Sequence, residues 1–156
     1  MEKRIFMLFR FFHKSLGDWI SYRCYYYALK KNVVNSITNF TWKEENGIYA
    51  VEWNNSIQNS TGRIVCKFED DFTIYRDRGY FTSNPTESKV ISCSSTFLKT
   101  VTIYNNTEFT ETIEFISDTE RVRRTIAKKL DSSTGEYSKL FLVGNYIEHK
   151  IKSEVK

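Results

Sequence analysis

The chain has 156 residues, enough for one domain with its own core, and 40% hydrophobic with 16% aromatic residues separate it from disordered chains. A net charge of only +4, with no long basic block behind it, speaks against a nucleic-acid-binding surface. The three cysteines, Cys24, Cys66 and Cys93, are odd in number, far apart and form no CxxC pair. That pattern speaks against a disulfide framework or zinc site and suits a reducing compartment. The only histidines, His13 and His149, stand near opposite ends, so a histidine-based metal cluster has little material.

The first element is read as a helix over about residues 4–16. Ile5, Leu8, Phe9, Phe12 and Leu16 fall at helical spacing on one face. The segment is too short to span a bilayer, and Arg10 interrupts its apolar run. Such a stripe packs on a core, and a plug or lid on a barrel is the reading taken over an amphipathic membrane helix.

From Gly17 onward the periodicity becomes two. Strands are expected at Trp19–Leu29, Ser36–Glu44, Gly47–Trp53, Arg63–Phe68, Phe72–Arg76, Lys89–Phe97, Lys99–Tyr104, Glu108–Ser117, Glu120–Leu130 and Tyr137–His149. Turn-prone pairs separate them, with Asn46-Gly47 the strongest hairpin signal. About ten strands in series, without intervening helices, predict an all-β, lipocalin-like, antiparallel up-and-down barrel formed as one domain over residues 1–156. Closure removes exposed edges, and a barrel of this size can hold a small ligand. A sandwich would satisfy the same pattern.

The informative residues are charges on apolar faces. Alternation puts Glu111 with Phe109, Ile113 and Phe115, and Arg23 with Trp19, Ser21, Tyr25 and Tyr27. In the strand after Glu111, either Arg121 and Arg123 or Arg124 must face inward, and the pattern does not choose. An ionised group removed from water needs a partner. Two readings stand: an internal ion pair of Glu111 with Arg121 or Arg123, or a pocket whose arginines grip an anionic ligand. The Arg76-Asp77-Arg78-Gly79-Tyr80 cluster ends a strand and, as a generic feature, reads as a solvated loop. No phosphate loop, nucleophile elbow or metal spacing is present.

These residues also carry a resemblance. Gly17-Asp18-Trp19-Ile20-Ser21-Tyr22-Arg23 resembles the G-x-W-x-S-x-R opening of the S-type phycobiliprotein lyases, the CpcS/CpeS family. Val51-Glu52-Trp53 resembles its V-x-W strand, and Arg76–Tyr80 its R-E/D-R-G-Y segment. Glu111-x-Ile113-x-Phe115-x-Ser117 followed by Arg121-Val122-Arg123 is similar to its E-x-I-x-F-x-S-x-x-x-R-x-R stretch. Glu148-His149-Lys150 takes the place of an E-x-R ending. The matches run in order from about residue 10 to 150. The chain departs at Tyr26, where some members have a histidine, and at Asp118, in the place of a proline.

The resemblance implies a barrel that binds a phycobilin, phycoerythrobilin by preference, and attaches it through a thioether to a cysteine of an apo-phycobiliprotein such as phycoerythrin. On this basis Glu111 and Arg121 are the expected catalytic residues. Arg23, Arg123, Trp19, Ser21, Tyr26, Trp53, Arg78 and Glu148 are expected to bind the pigment, with no metal. The implied partners are the apo-subunit and the phycobilin, with a bilin reductase as its source and a homodimer left open. The implied setting is a cyanobacterial cytoplasm or a plastid. A non-catalytic carrier of bilin, another tetrapyrrole or a lipid in the same barrel is the competing reading.

Overall fold

The computed structural model describes residues 3–55, 60–69, 71–79 and 82–151. A helix, α1 (Lys3–Lys14), precedes ten strands: β1 (Gly17–Tyr27), β2 (Asn32–Glu45), β3 (Ile48–Asn55), β4 (Ser60–Glu69), β5 (Thr73–Arg76), β6 (Thr86–Cys93), β7 (Phe97–Tyr104), β8 (Thr107–Ser117), β9 (Glu120–Asp131) and β10 (Glu136–Lys150). Every sequential pair is antiparallel, and β1 pairs with β10 to close the barrel. Closure satisfies the edge groups that an open ten-stranded sheet would expose. No helix among the described residues is long and apolar enough to cross a membrane.

Local chemistry sets the turns. Asn46 and Gly47 both take positive φ, 53° and 78°, as the two-residue hairpin between β2 and β3 requires. Asn105 and Asn106 do the same between β7 and β8, at 52° and 54°. Several boundaries move by a few residues, and the one between β6 and β7 has a clear local cause. Ser94, Ser95 and Thr96 form the turn, so β6 stops at Cys93 and Phe97 opens β7. The Ser94 amide donates to the Phe97 carbonyl at 2.8 Å, and Ser94 Oγ accepts from the Thr96 amide at 3.2 Å, which closes the hairpin locally.

The helix stops one end of the barrel. Leu8, Phe11 and Phe12 are fully buried there, with Phe9 and Leu16 partly so. Phe11, absent from the expected apolar stripe, packs edge-on against Phe115 at 5.4 Å. Phe12 meets Trp42 at 5.4 Å and Phe68 at 4.6 Å. Each such side chain contributes about 1.5–3 kcal/mol by leaving water. The helix ends at Lys14 rather than 16, because Ser15 turns the chain. Its hydroxyl donates to the Phe11 carbonyl, and its own carbonyl accepts from the Trp19 indole at 2.8 Å. Below this plug lies the aromatic core, with Trp19 stacked on Phe40 at 6.2 Å and 3°.

Candidate functional site

Toward the opposite end the barrel is hollow. Inward positions that carry Trp19, Phe40 and Phe115 near α1 give way to Ser36, Thr38, Thr86, Thr100, Thr102 and Thr125. These short side chains leave a cavity of about 280 Å³, close to the lower bound for a small-molecule site. Tyr25, Tyr27, Tyr104 and Phe109 line it, with Tyr104 and Phe109 stacked at 4.8 Å across the β7–β8 hairpin. Two glycines make room for wall aromatics. A Cβ on Gly62 would lie 2.0 Å from the Trp53 ring, and one on Gly144 would lie 2.7 Å from the Tyr146 hydroxyl. Any larger residue at either place would displace a ring of the cavity wall.

At the cavity floor an alternating series of charges descends into the core. Glu111 of β8 meets Arg123 of β9 at 3.1 Å. Arg123 reaches Glu148 of β10 at 3.6 Å, and Glu148 receives Arg121 Nε at 2.8 Å. The register explains the series, since Glu148 stands directly opposite Arg121 and between Ser21 and the β9 strand. Burial alone would push the Glu148 carboxyl up. Arg121, Arg123, the Ser21 hydroxyl and Arg23 outweigh it and hold the group below the ordinary carboxylate range. Arg121, 2% exposed, lies over Trp19 at 4.6 Å and near the Phe40 and Phe115 rings. Its Nη1 donates to Ser15 Oγ at 3.1 Å, which ties the charge to the C-terminal end of α1, where a cation is favoured.

Above this series, hydroxyls link the wall to Glu111. The Tyr146 hydroxyl donates to Thr125 Oγ1 at 3.2 Å, and that hydroxyl donates to Glu111 Oε2 at 3.4 Å. Burial, then neighbouring Tyr25, pushes the Tyr146 phenol far up, so it stays a donor at any physiological pH. The Arg23 and Arg123 guanidiniums lie 5.3 and 5.1 Å from the Tyr146 ring centre.

The expected site residues therefore divide into three groups. Arg23, Arg123, Glu111 and Trp53 line the cavity. Trp19, Ser21, Arg121 and Glu148 lie beneath it, buried in the core. The ambiguity over β9 is resolved with Arg121, Arg123 and Thr125 inward and Arg124 outward, so Glu111 pairs with Arg123, and Arg121 pairs with Glu148. Two further expectations shift. Tyr26 is on the outer face, 38% exposed, because alternation turns Tyr25 and Tyr27 inward. Arg78 lies 5.9 Å from the Trp53 ring centre and supports the wall from the β5–β6 connection. Tyr80 of the same motif is outside the described residues. Lys150, in the place of the family ending's arginine, lies over Trp19 at 5.5 Å and donates to the Lys14 carbonyl.

Sequence reasoning missed Arg76 and Tyr146. Arg76 lines the cavity from β5, the strand diametrically opposite β10, and donates to Ser88 Oγ. Alternation from the fully buried Ile74 would have turned it inward, as alternation from Glu148 would have turned Tyr146. With Arg76 included, the charged side chains that line the cavity or pair directly beneath it are Arg23, Arg76, Arg121, Arg123, Glu111 and Glu148, four cations against two anions. Among the described residues no cluster of three or more His, Cys, Asp or Glu side chains is arranged to hold a metal ion.

The fold is similar to that of an S-type phycobiliprotein lyase, CPES, from Guillardia theta, at 15% identity and a TM-score of 0.70 over 99% of this chain and 100% of that one. It is also similar to a protein of unknown function of the DUF3598 family from Nostoc punctiforme, at 12% identity and a TM-score of 0.64. That likeness covers 90% of this chain and 49% of the other, so the chain spans about half the length of that relative. No curated protein matches the sequence. The family model described as CpeS-like protein matches residues 28–141, which include the Glu111 strand, both inward arginines of β9 and most of the cavity wall. The chain belongs to the CpeS-like family.

Proposed function

We propose that the chain is a phycobiliprotein lyase, which holds a phycobilin in its barrel and attaches it to a cysteine of an apo-phycobiliprotein. The observation that carries this reading is the cavity's charge. Four arginines and two glutamates at its wall and floor leave an excess of two positive charges, the complement of a tetrapyrrole's two propionates. Arg23 and Arg123 hold one side of the pigment and Arg76 the other, while Trp53, Tyr25 and Tyr146 flank its rings. Glu111 meets the pyrrole nitrogens. With the Tyr146–Thr125 hydroxyl chain behind it, Glu111 moves a proton onto the conjugated system, which makes ring A more electrophilic.

The acceptor thiol then adds to the ring-A ethylidene. A sulfur–carbon bond forms as the exocyclic double bond is lost, and the thiol proton ends on the tetrapyrrole, so no oxidant or reductant is needed. The barrel contributes position and shelter from wrong addition. Arg121 and Glu148 act from beneath by fixing Arg123. Among the pigments, phycoerythrobilin and its phycoerythrin acceptor are the pair we favour, on the CpeS-like character of the family match. The setting is the compartment that makes phycobiliproteins, a cyanobacterial cytoplasm or a plastid.

The test is co-expression with bilin-synthesising enzymes and an apo-phycoerythrin β subunit, read by zinc fluorescence on denaturing gels. The proposal expects fluorescence on the subunit that depends on this chain. Pigment that binds the chain but never transfers would instead make it a carrier. Glu111→Gln and Arg123→Ala should each weaken bilin binding by about 1.5–3 kcal/mol, roughly ten- to a hundredfold in Kd. If neither changes Kd, the pocket assignment fails.

A further inference from the structure

The cavity opens at the end that carries the β1–β2, β7–β8 and β9–β10 turns, since α1 stops the other end. Around that mouth the exposed apolar side chains are not spread evenly. Tyr26, Leu29, Val33 and Val34 cluster on the β1–β2 hairpin, and Leu140 lies next to them on β10. Leu29 is 77% exposed and Val33 58% exposed. Val33 stands directly opposite Tyr26, and Tyr26 opposite Val143, so the outward residues form a continuous strip across three strands. Val34, 37% exposed, stands opposite Tyr25 on the inward face and lines the cavity, so apolar surface continues over the lip into the pocket.

A monomer gains nothing by presenting a leucine and two valines to water at a cavity mouth, and apolar surface beside a ligand site marks a place where a partner sits. On the hairpin that carries the strip the charges have one sign, with Lys30 and Lys31 in its turn, while on the adjacent β9 and β10 strands Lys128, Lys129 and Lys139 outnumber Asp131 and Glu136. No acidic residue occurs between Tyr26 and Asn35.

We infer that this lip is where the acceptor protein docks, through an apolar surface flanked by acidic side chains next to its acceptor cysteine. The inference rests on the lyase reading and deepens it. A cavity of about 280 Å³ is at the small end for ligand sites, so an elongated tetrapyrrole filling it extends to the mouth, where a thiol must meet it. Docking on the β1–β2 side, rather than over the β5–β6 connection, fixes the side from which that thiol approaches. The lysines steer the encounter and the apolar strip holds it.

The experiment measures three quantities on the purified chain loaded with phycobilin: pigment Kd, thermal unfolding, and the initial rate of thioether formation against apo-subunit concentration. The variants are Leu29→Asp with Val33→Asp, and separately Lys30→Glu with Lys31→Glu. The lip account expects the apolar double variant to keep pigment Kd within twofold and to raise KM for the apo-subunit at least tenfold. It expects the lysine variant to raise KM three- to tenfold at low salt and to lose most of its salt dependence. An unchanged KM in the apolar variant overturns the docking site while leaving the lyase reading intact. A parallel loss of pigment affinity also overturns it, by making the strip part of the pocket. Absence of transfer by the unmodified chain is the separate failure of the lyase reading, and the docking site falls with it.

Discussion

The two ends of the barrel are built from the same ten strands and the same alternation, yet one is solid and the other hollow. Near α1, inward positions carry Trp19, Phe40 and Phe115, the helix adds Leu8, Phe11 and Phe12, and the Arg121 charge is enclosed among rings. Toward the mouth the corresponding positions carry serine and threonine, and Arg23, Arg76 and Arg123 line the cavity. The difference is side-chain volume at inward positions, not backbone. It separates stability from binding: the closed end supplies the burial that the open end gives up. The charge series Glu111–Arg123–Glu148–Arg121 joins the two, with its upper pair in the cavity wall and its lower pair in the core.

This contrast can be broken in order of expected effect. Glu148→Ala should be the most damaging single change, because it leaves Arg121 and Arg123 as buried cations without their shared carboxylate. A loss of about 3–5 kcal/mol in urea unfolding is expected. Phe11→Ala should cost about 3 kcal/mol by opening a void under the helix, while pigment Kd stays within about twofold. A smaller effect concerns acid. Glu148 is held below its unfolded pKa of about 4.3, so its stabilisation is complete above that value and is lost as pH falls through its lower folded value. The stability gap between the unmodified chain and Glu148→Gln should therefore narrow below about pH 4. Tyr146→Phe should cost only about 0.5–1.5 kcal/mol, since it removes one hydroxyl from the wall. On the proposed proton path it should slow transfer more than it weakens pigment binding.

Much of the barrel was legible because strand periodicity and turn chemistry are local. Asn46-Gly47 made its hairpin, and the inward faces read from Trp19–Tyr27 and Phe109–Phe115 are those observed. The β9 strand was not legible alone, because arginines occur on both of its faces. Only its neighbours decide, by placing Glu148 and the fully buried Trp19 beside Arg121. The pairing of Arg121 with Glu148 rather than Glu111 likewise depends on register across β10. Tyr26 was expected to face the pigment from its place in a motif, and one residue of alternation put it outside. The cavity itself could not be read, since emptiness depends on which short side chains meet across strands, as Thr100 meets Glu111. Arg76, read with its cluster as a solvated loop, was missed as a cavity residue for a related reason: a four-residue strand gives too few alternations to show a face.

The most direct measurement fills the hollow end without touching its charges. Thr100→Phe places a ring in the cavity from β7, far from the plug and the Arg121–Glu148 pair. Titration of phycobilin by absorbance, beside a thermal melt of the same sample, reads both ends of the barrel at once. Pigment binding should weaken at least tenfold while unfolding is little changed. Unaltered pigment binding in a folded Thr100→Phe chain would contradict it, because the ligand would then be held elsewhere.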